Sequence, residues 1–434
     1  MLTQEQNDLL TRVGPGTKMG DLMRRYWQPI AASSEMADRW THRVRLLGED
    51  LVLFKDLKGN LGLVEEFCAH RRASLAFGIP EDDGIRCPYH GWKFDGSGRC
   101  LEQPFETGRN ALIGKKAIAA YPVQELGGLI FAYLGPQPAP LLPNFSAFIW
   151  KDAIRAVGKF VIPCNWLQCM ENTADPVHTE WLHGALHEFR MEHTGEKTKV
   201  KQQHDKIAFD EFEFGMIKRR LYRGQAETAH DWTVGHPLVF PNILLTGSDG
   251  GITGSDGGIW KAHTFQIRVP VDDTHTLHFW YQSYVPPEGS DVPPHLLTQT
   301  PPHYEVPIML PNGEFNLDLI DAQDIMAWVT QGPIADRTRE NLGNSDLGIV
   351  TYRRMLMREM KKVEHGEDPI GIFRDPAKNS EVRLPLEKGK DMYRDGFESL
   401  IRRLAIYHSP VAQDLVRLFT PKVKEAASDR APAE

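Results

Sequence analysis

No apolar run in this sequence approaches the ~18 residues that a membrane-spanning helix needs. Its opening, Met1-Leu2-Thr3-Gln4-Glu5-Gln6-Asn7, has neither a basic stretch nor an apolar core, so no secretory signal is visible. Positive charge is not in surplus either. Fifty Lys and Arg stand against 58 Asp and Glu, a net charge of −8, which argues against nucleic acid or a membrane surface as partner. No G-x-G-x-x-G lies between a strand-like and a helix-like stretch, so no dinucleotide fingerprint is present. Cysteine is scarce, five in 434 residues. An odd number with no framework spacing argues against structural disulfides, and a reducing cytoplasm is the expected location. The remaining composition, 41% hydrophobic and 25% charged with ten tryptophans, is that of a folded chain of two to three domains.

The informative stretch is Cys68-Ala69-His70 followed by Cys87-Pro88-Tyr89-His90, a C-x-H-x16-C-x-x-H pattern closed by Gly91 and Trp92. Each half offers one thiolate and one imidazole that a tight loop can aim at a metal. Four cysteines would suit zinc or an all-thiolate iron–sulfur cluster. Two cysteines and two histidines paired in this way are what a Rieske [2Fe–2S] centre needs, with the thiolates on one iron and the imidazoles on the other. The alternative is a zinc loop, whose usual order is C-x2–4-C…H-x3–5-H. Here the two residue types alternate instead, which favours the cluster.

Along the chain, residues 5–26 read as an amphipathic helix interrupted by Gly14-Pro15-Gly16 and suited to docking. From Val44 to Gly135 short β-type runs alternate with turns such as Lys58-Gly59-Asn60, the pattern of a small antiparallel sandwich. The proline-rich stretch Pro136 to Pro143 reads as a linker. Beyond it, Trp166 to Asn172 is helical in pattern. Phe265–Val269 and Thr276–Tyr281 predict a hairpin around the Pro270–His275 turn. A near-duplicated heptad, Gly247-Ser248-Asp249-Gly250-Gly251-Ile252-Thr253 and Gly254-Ser255-Asp256-Gly257-Gly258-Ile259-Trp260, reads as a flexible hairpin loop. Helix dominates from Asp318, with a last amphipathic helix expected over 391–420 and a frayed tail from Pro421.

A second metal site is suggested by Asp175, His178 and His183, spaced D-x-x-H-x4-H. Two imidazoles within one or two helical turns can face one metal. A carboxylate from elsewhere would then complete the two-His-one-carboxylate triad of non-haem Fe(II) oxygenases. The chain's 17 histidines make such a spacing possible by chance, but a one-electron cluster upstream needs an acceptor. Asp318, Asp321 and Asp324 form the acidic cluster from which that carboxylate is expected. At spacings of three they drift around a helix, so not all can point inward. Asp324, just before the apolar Ile325-Met326-Ala327-Trp328, is the one expected to enter the core.

The combination resembles the oxygenase (α) component of Rieske non-haem iron aromatic-ring hydroxylating oxygenases, over nearly the whole chain. The stretches Val13-Gly14-Pro15-Gly16-Thr17-Lys18-Met19-Gly20, Arg268-Val269-Pro270-Val271-Asp272-Asp273 and Gln331-Gly332-Pro333-Ile334-Ala335-Asp336-Arg337 are similar to the phthalate dioxygenase branch. The resemblance implies an α+β protein. An N-terminal Rieske antiparallel β-sandwich (41–145, after a helical segment 1–40) would precede a catalytic domain (146–434) of antiparallel sheet flanked by helices, of helix-grip, START-like form. It implies that Cys68, His70, Cys87 and His90 hold the cluster and that His178, His183 and Asp324 hold the iron. Asp175 would bridge one subunit's cluster ligand to the neighbour's iron ligand, within a homotrimer or a hexamer of stacked trimers. Electrons would come from NAD(P)H through a separate flavin and iron–sulfur reductase.

The expected activity is dioxygenation of an aromatic carboxylate such as phthalate or a substituted benzoate. Monooxygenation, for instance O-demethylation, stands second. Phthalate itself would call for arginines that grip two carboxylates. After Pro241–Leu245 none occurs until Arg268. The Lys218-Arg219-Arg220 group is the other source, and at least two of its three residues are expected on a solvated strand edge.

Overall fold

A computed structural model describes residues 1–434 apart from 107, 109–110, 195–201, 256, 389–396 and 421–434. The chain opens with two short helices, α1 (Gln4–Thr11) and α2 (Lys18–Met23). Thr3 and Gln6 form a reciprocal capping box on α1, and Thr17 caps α2, so each helix has partners for its first free N–H groups. Leu10, Val13, Met19, Leu22 and Met23 are fully buried. This is the docking expected of the segment.

Strands β1 (Gln28–Ala32), β2 (Thr41–Leu46), β3 (Glu49–Lys55), β4 (Leu61–Glu65), β5 (Ile79–Glu81), β6 (Gly84–Arg86), β7 (Lys93–Phe94), β8 (Cys100–Glu102), β9 (Ala120–Tyr121), β10 (Val123–Leu126) and β11 (Leu129–Ala132) follow. They build three antiparallel sheets, ordered β2-β3-β4-β9, β5-β6-β7-β8 and β1-β11-β10. Val52, Phe54, Val64, Leu75, Ile85 and Phe94 enclose a small core of their own, which includes Cys68 and Cys87. β1 comes from the N-terminal segment, so that segment supplies a strand as well as helices.

The stretch 136–143 is not a free linker. Leu142 is buried, the Pro140 carbonyl accepts the Trp27 indole N–H at 2.9 Å, and Leu141 bridges to Phe373. Leucines between the prolines have apolar surface to bury, and they hold the strap to the body of the protein.

The second half is one eight-stranded sheet of β12 (Ile154–Ile162), β13 (His204–Phe212), β14 (Gly215–Tyr222), β15 (His236–Val239), β16 (Ile243–Thr253), β17 (Ile259–Pro270), β18 (Thr276–Val285) and β19 (His303–Glu305). Its order is β13-β14-β15-β16-β17-β18-β12-β19, antiparallel except for the β12–β19 pair. Helices α3 (Trp166–Thr173), α4 (Ile320–Val329) and α5 (Leu347–Glu364) pack with it. The predicted β17–β18 hairpin is present, with Pro270 opposite Thr276.

The duplicated heptad is a hairpin loop only where its second copy begins, closed by the Gly254 N–H to the Gly258 carbonyl at 2.9 Å; the rest is strand. Its first copy completes β16 through an irregularity between Ser248 and Ile252, and its second copy starts β17 at Ile259. Backbone pairing draws the first copy into β16 where composition alone suggested a loop. The expected helix over 391–420 is also divided. Phe397–Ile401 and Ala412–Phe419 are helical, with a 3-10 turn Ala405–His408 between them, and residues 391–396 and the tail from Pro421 lie outside the described residues.

Candidate metal centres

Cys68 and His70 lie on the loop after β4, and Cys87 and His90 on the turn between β6 and β7. The Cys87 N–H donates to the Trp92 carbonyl at 2.8 Å and the Gly91 N–H to the Cys87 carbonyl at 3.0 Å, which closes a tight loop. Gly91 has φ +75°, a conformation glycine adopts without strain. Both cysteines are buried, whereas His90 is exposed and His70 half-buried. The two imidazole rings meet edge to face at 4.6 Å, and His70 stacks on Trp92 at 4.6 Å. The Cys68 thiol is pushed up to about 12 by burial and by the neighbouring Cys87 thiol. Two thiols inside and two imidazoles together at the rim fit a two-iron cluster with one open face. Metal binding there must displace thiol protons.

The second constellation is assembled over a longer span. Asn165 caps α3 by accepting the Leu167 N–H, while its amide donates to the carbonyls of Thr11 and Asp273. Gln168 on α3 donates to the carbonyls of Trp328 and Gly332, which fixes α3 against the end of α4. Glu171, buried, is gripped by Arg337 at 2.7 Å and Arg353 at 2.6 Å. Burial alone would raise its pKa, but the two guanidiniums hold it below the usual range. The chain then turns at Asp175-Pro176 into a π-helical stretch, Thr179–Ala185.

That winding matters. In an α-helix residues five apart stand about 140° apart around the axis, so His178 and His183 could not face one point. Hydrogen bonds running i→i+5 bring them round, and their rings lie 5.2 Å apart. Asp324 reaches the same point from α4, its Oδ1 3.6 Å from His178 Nε2 and 3.2 Å from His183 Nε2. Among the described residues, His178, His183 and Asp324 are the group whose ligand atoms all lie within 4.8 Å of one another.

The surroundings prepare these atoms for a metal. Gln323 donates its amide to the Leu317 carbonyl, which turns its oxygen to His183 Nδ1 at 2.9 Å. Nδ1 therefore donates to that oxygen and Nε2 faces Asp324; burial would lower the His183 pKa, but the Asp324 carboxylate raises it above the ordinary value. Asn172 donates to Asp324 Oδ1 at 3.2 Å. Burial opposes ionisation of Asp324, yet His183, His178 and Arg268 hold it down to about 2. Among the described residues His178 Nδ1 has no hydrogen-bond partner, and it faces Asp175 Oδ2 at 3.6 Å. Asp175 is kept ionised by His178, the Val177 N–H and Lys218 against the effect of burial.

The three expected aspartates separate, Asp318 lying before α4 and Asp321 and Asp324 on it. Asp318 is exposed and pairs with Arg190 at 2.9 Å. Asp321 is buried and raised by that burial to about 6, accepting the Trp280 indole N–H at 2.6 Å and the Ala405 N–H at 2.9 Å. Only Asp324 joins the histidines. Sequence reasoning passed over Gln323, whose one available signal is its place beside Asp324. The solvated-edge expectation also fails for two residues of three. Lys218 and Arg220 are buried and point inward, while Arg219 pairs outside with Asp210, because successive strand residues face opposite ways.

Residues 26–122 match the Rieske [2Fe-2S] domain family, 162–294 the vanillate O-demethylase oxygenase C-terminal domain family and 308–384 the LigXa C-terminal domain like family. The chain is 45% identical over 389 residues to the 5,5'-dehydrodivanillate O-demethylase oxygenase subunit of a Sphingobium species, covering 89% of this chain and 87% of that one. The chain belongs to the Rieske oxygenases. This Rieske oxygenase is also 33% identical to the phthalate 4,5-dioxygenase oxygenase subunit of Pseudomonas putida, over 86% of this chain and 89% of that one. In fold it resembles Pseudomonas putida CBB5 NdmA, with a TM-score of 0.57 at 22% identity, over 81% of this chain and 94% of that one. It is a terminal oxygenase component, an oxidoreductase of the family that carries a [2Fe–2S] cluster and mononuclear iron. Among the described residues no helix is long and apolar enough to cross a membrane.

Proposed function

We propose that this Rieske oxygenase removes the methyl group from a methoxylated aromatic carboxylate. The balance is Ar–OCH3 + O2 + 2 e⁻ + 2 H⁺ → Ar–OH + HCHO + H2O. The observation that carries this reading is the 45% identity, across 89% of the chain, to an O-demethylase oxygenase subunit. Ring dioxygenation of an aromatic carboxylate to a cis-dihydrodiol is the second reading, favoured by the 33% identity to a phthalate dioxygenase subunit.

In this proposal Cys68, His70, Cys87 and His90 hold the cluster, and His178, His183 and Asp324 hold Fe(II). Bound there, the cluster supplies electrons singly and the iron supplies the oxygen chemistry. Gln323 and Asn172 fix the ligand atoms. Asp175 joins His178 Nδ1 to a cluster histidine of a neighbouring copy in a trimer, or in stacked trimers, and fixes both tautomers. A separate flavin and iron–sulfur reductase delivers the electrons in the cytoplasm. The divisions 1–40, 41–145 and 146–434 belong to the same proposal.

The test is the purified chain with a reductase, NADH and a methoxybenzoate. Formaldehyde equal to the oxygen consumed supports demethylation, and a cis-diol supports the second reading. Two irons per chain in place of about three, with none taken up from added Fe(II), overturns both.

A further inference from the structure

A polar cleft of about 350 Å³ lies where the N-terminal segment meets the far end of α5. Lys18, Asp21, Arg24 and Arg25 line it from α2 and the turn that follows, and Met360, Val363 and Glu364 from α5. Leu134, Gly135 and Pro136, at the start of the proline-rich strap, complete the lining. Gly135 suits that place, since a Cβ there would strike the Arg24 carbonyl and the Tyr133 ring. The volume falls in the range of small-molecule sites, roughly 300–1,000 Å³. The cleft stands apart from the iron-binding residues. Gly348, at the start of α5, packs against the Ala174 carbonyl, next to Asp175. Met360 lies about 18 Å further along that helix, at 1.5 Å per residue.

The charges of the cleft are not all matched. Lys18 Nζ pairs with Glu364 at 2.7 Å, joining α2 to α5. Arg24 pairs with Glu49 and donates to the Leu47 carbonyl. Arg25 is half-buried and, among the described residues, makes no ion pair and no side-chain hydrogen bond. Asp368, whose carboxyl feels the Arg25 charge, is taken at both oxygens by Arg374, at 2.9 and 3.0 Å. Asp21, one turn before Arg25, is exposed and makes no ion pair with it. Leu134, Met360 and Val363 give the lining buried apolar surface. A guanidinium partly withdrawn from water beside such surface suits a carboxylate that carries an apolar body. The planar fork holds both oxygens, and the apolar side chains cover the rest.

We propose that this cleft is a binding site for a small carboxylate with an apolar body, separate from the residues that hold iron. Arg25 donates two parallel hydrogen bonds to the carboxylate, and Leu134, Met360 and Val363 receive the apolar part. Asp21 faces the same cleft and opposes the anion, so it limits the affinity. The inference does not rest on the demethylase reading, because none of these residues takes part in it.

The experiment titrates benzoate into the iron-loaded enzyme by calorimetry, with benzamide as the uncharged counterpart. The wild type should bind an equivalent of benzoate per chain that benzamide does not fill. Arg25→Gln should weaken that equivalent by about tenfold or more. Arg25→Lys, which keeps the charge and loses the fork, should recover part of the affinity. Asp21→Asn, which removes the opposing carboxylate, should tighten binding about twofold to fivefold. Iron content and the cluster spectrum, unchanged in each variant, show that it is folded. Equal benzoate affinity in the wild type and Arg25→Gln overturns the inference and places the benzoate elsewhere in the protein. Benzamide binding as tightly as benzoate, or no benzoate binding at all, overturns it as well. If Arg25→Gln does not fold, an unchanged affinity in Asp21→Asn overturns it alone.

Discussion

The two candidate metal-binding regions are built in opposite ways. The cluster loops hang from short strands, and their four residues fall within Cys68–His90. They are closed by hydrogen bonds inside the loops themselves, such as Cys87 N–H to the Trp92 carbonyl. The iron triad draws on segments far apart in sequence, His178 and His183 on one and Asp324 on the other. It depends on α3, α4, the N-terminal helix and the Arg337 loop being in register. A local site survives with little scaffold. A dispersed one inherits the stability of everything that positions it.

This contrast can be broken by experiment. The largest effect is expected from the ligands. Asp324→Ala should remove the mononuclear iron and all turnover while the cluster spectrum stays intact, and Cys68→Ser should do the reverse. Iron and sulfide analysis with an EPR spectrum of the reduced protein checks both. Loss of both metals in either variant would mean that the sites are not independent.

Next is Glu171→Ala, which leaves Arg337 and Arg353 buried without their shared carboxylate. It should cost about 3–5 kcal/mol in denaturant unfolding and loosen the iron before the cluster. The pH dependence has a definite sign. The Glu171 pKa is lowered in the folded state, so its contribution is full above the unfolded glutamate value of about 4.3. That contribution is lost as pH falls through the depressed folded value. Wild-type stability should therefore fall more steeply than that of Glu171→Gln in acid.

Gln323→Leu removes the acceptor on His183 Nδ1 and should weaken Fe(II) binding about 10- to 100-fold, with the cluster unchanged in titration. The smallest effect is expected from Arg219→Ala. That residue forms an outward pair with Asp210, worth under about 1 kcal/mol, whereas its buried neighbour Lys218 should prove costly to remove.

The same contrast explains what could be read in advance. Cys68, His70, Cys87 and His90 were legible as a candidate cluster site because their chemistry and their loop spacing are local properties. The branch markers were legible as patterns, but their purpose was not. Arg337 proves to be the clamp on Glu171, and Asp273 the anchor for Asn165 and Val13. The heptad was half legible: its second copy begins with the hairpin turn its small, polar residues suggest, whereas pairing with β17 draws the first copy into a strand. Lys218 and Arg220 misled because charge suggests solvent, and only strand alternation against a helix end puts them inside.

By itself, the sequence determined the candidate cluster ligands, the pair of histidines and the short list of aspartates, since residue type and local spacing limit what a loop or a turn can ligate. Tertiary structure alone decided which aspartate meets the histidines, because Asp318 falls before α4 while the packing of α4 turns Asp321 to Trp280 and Asp324 to the histidines. It also decided that His178 and His183 meet at all. Five-residue spacing is wrong for an α-helix, and the wider π turn over Thr179–Ala185 corrects it, a winding that residue type and local spacing do not announce.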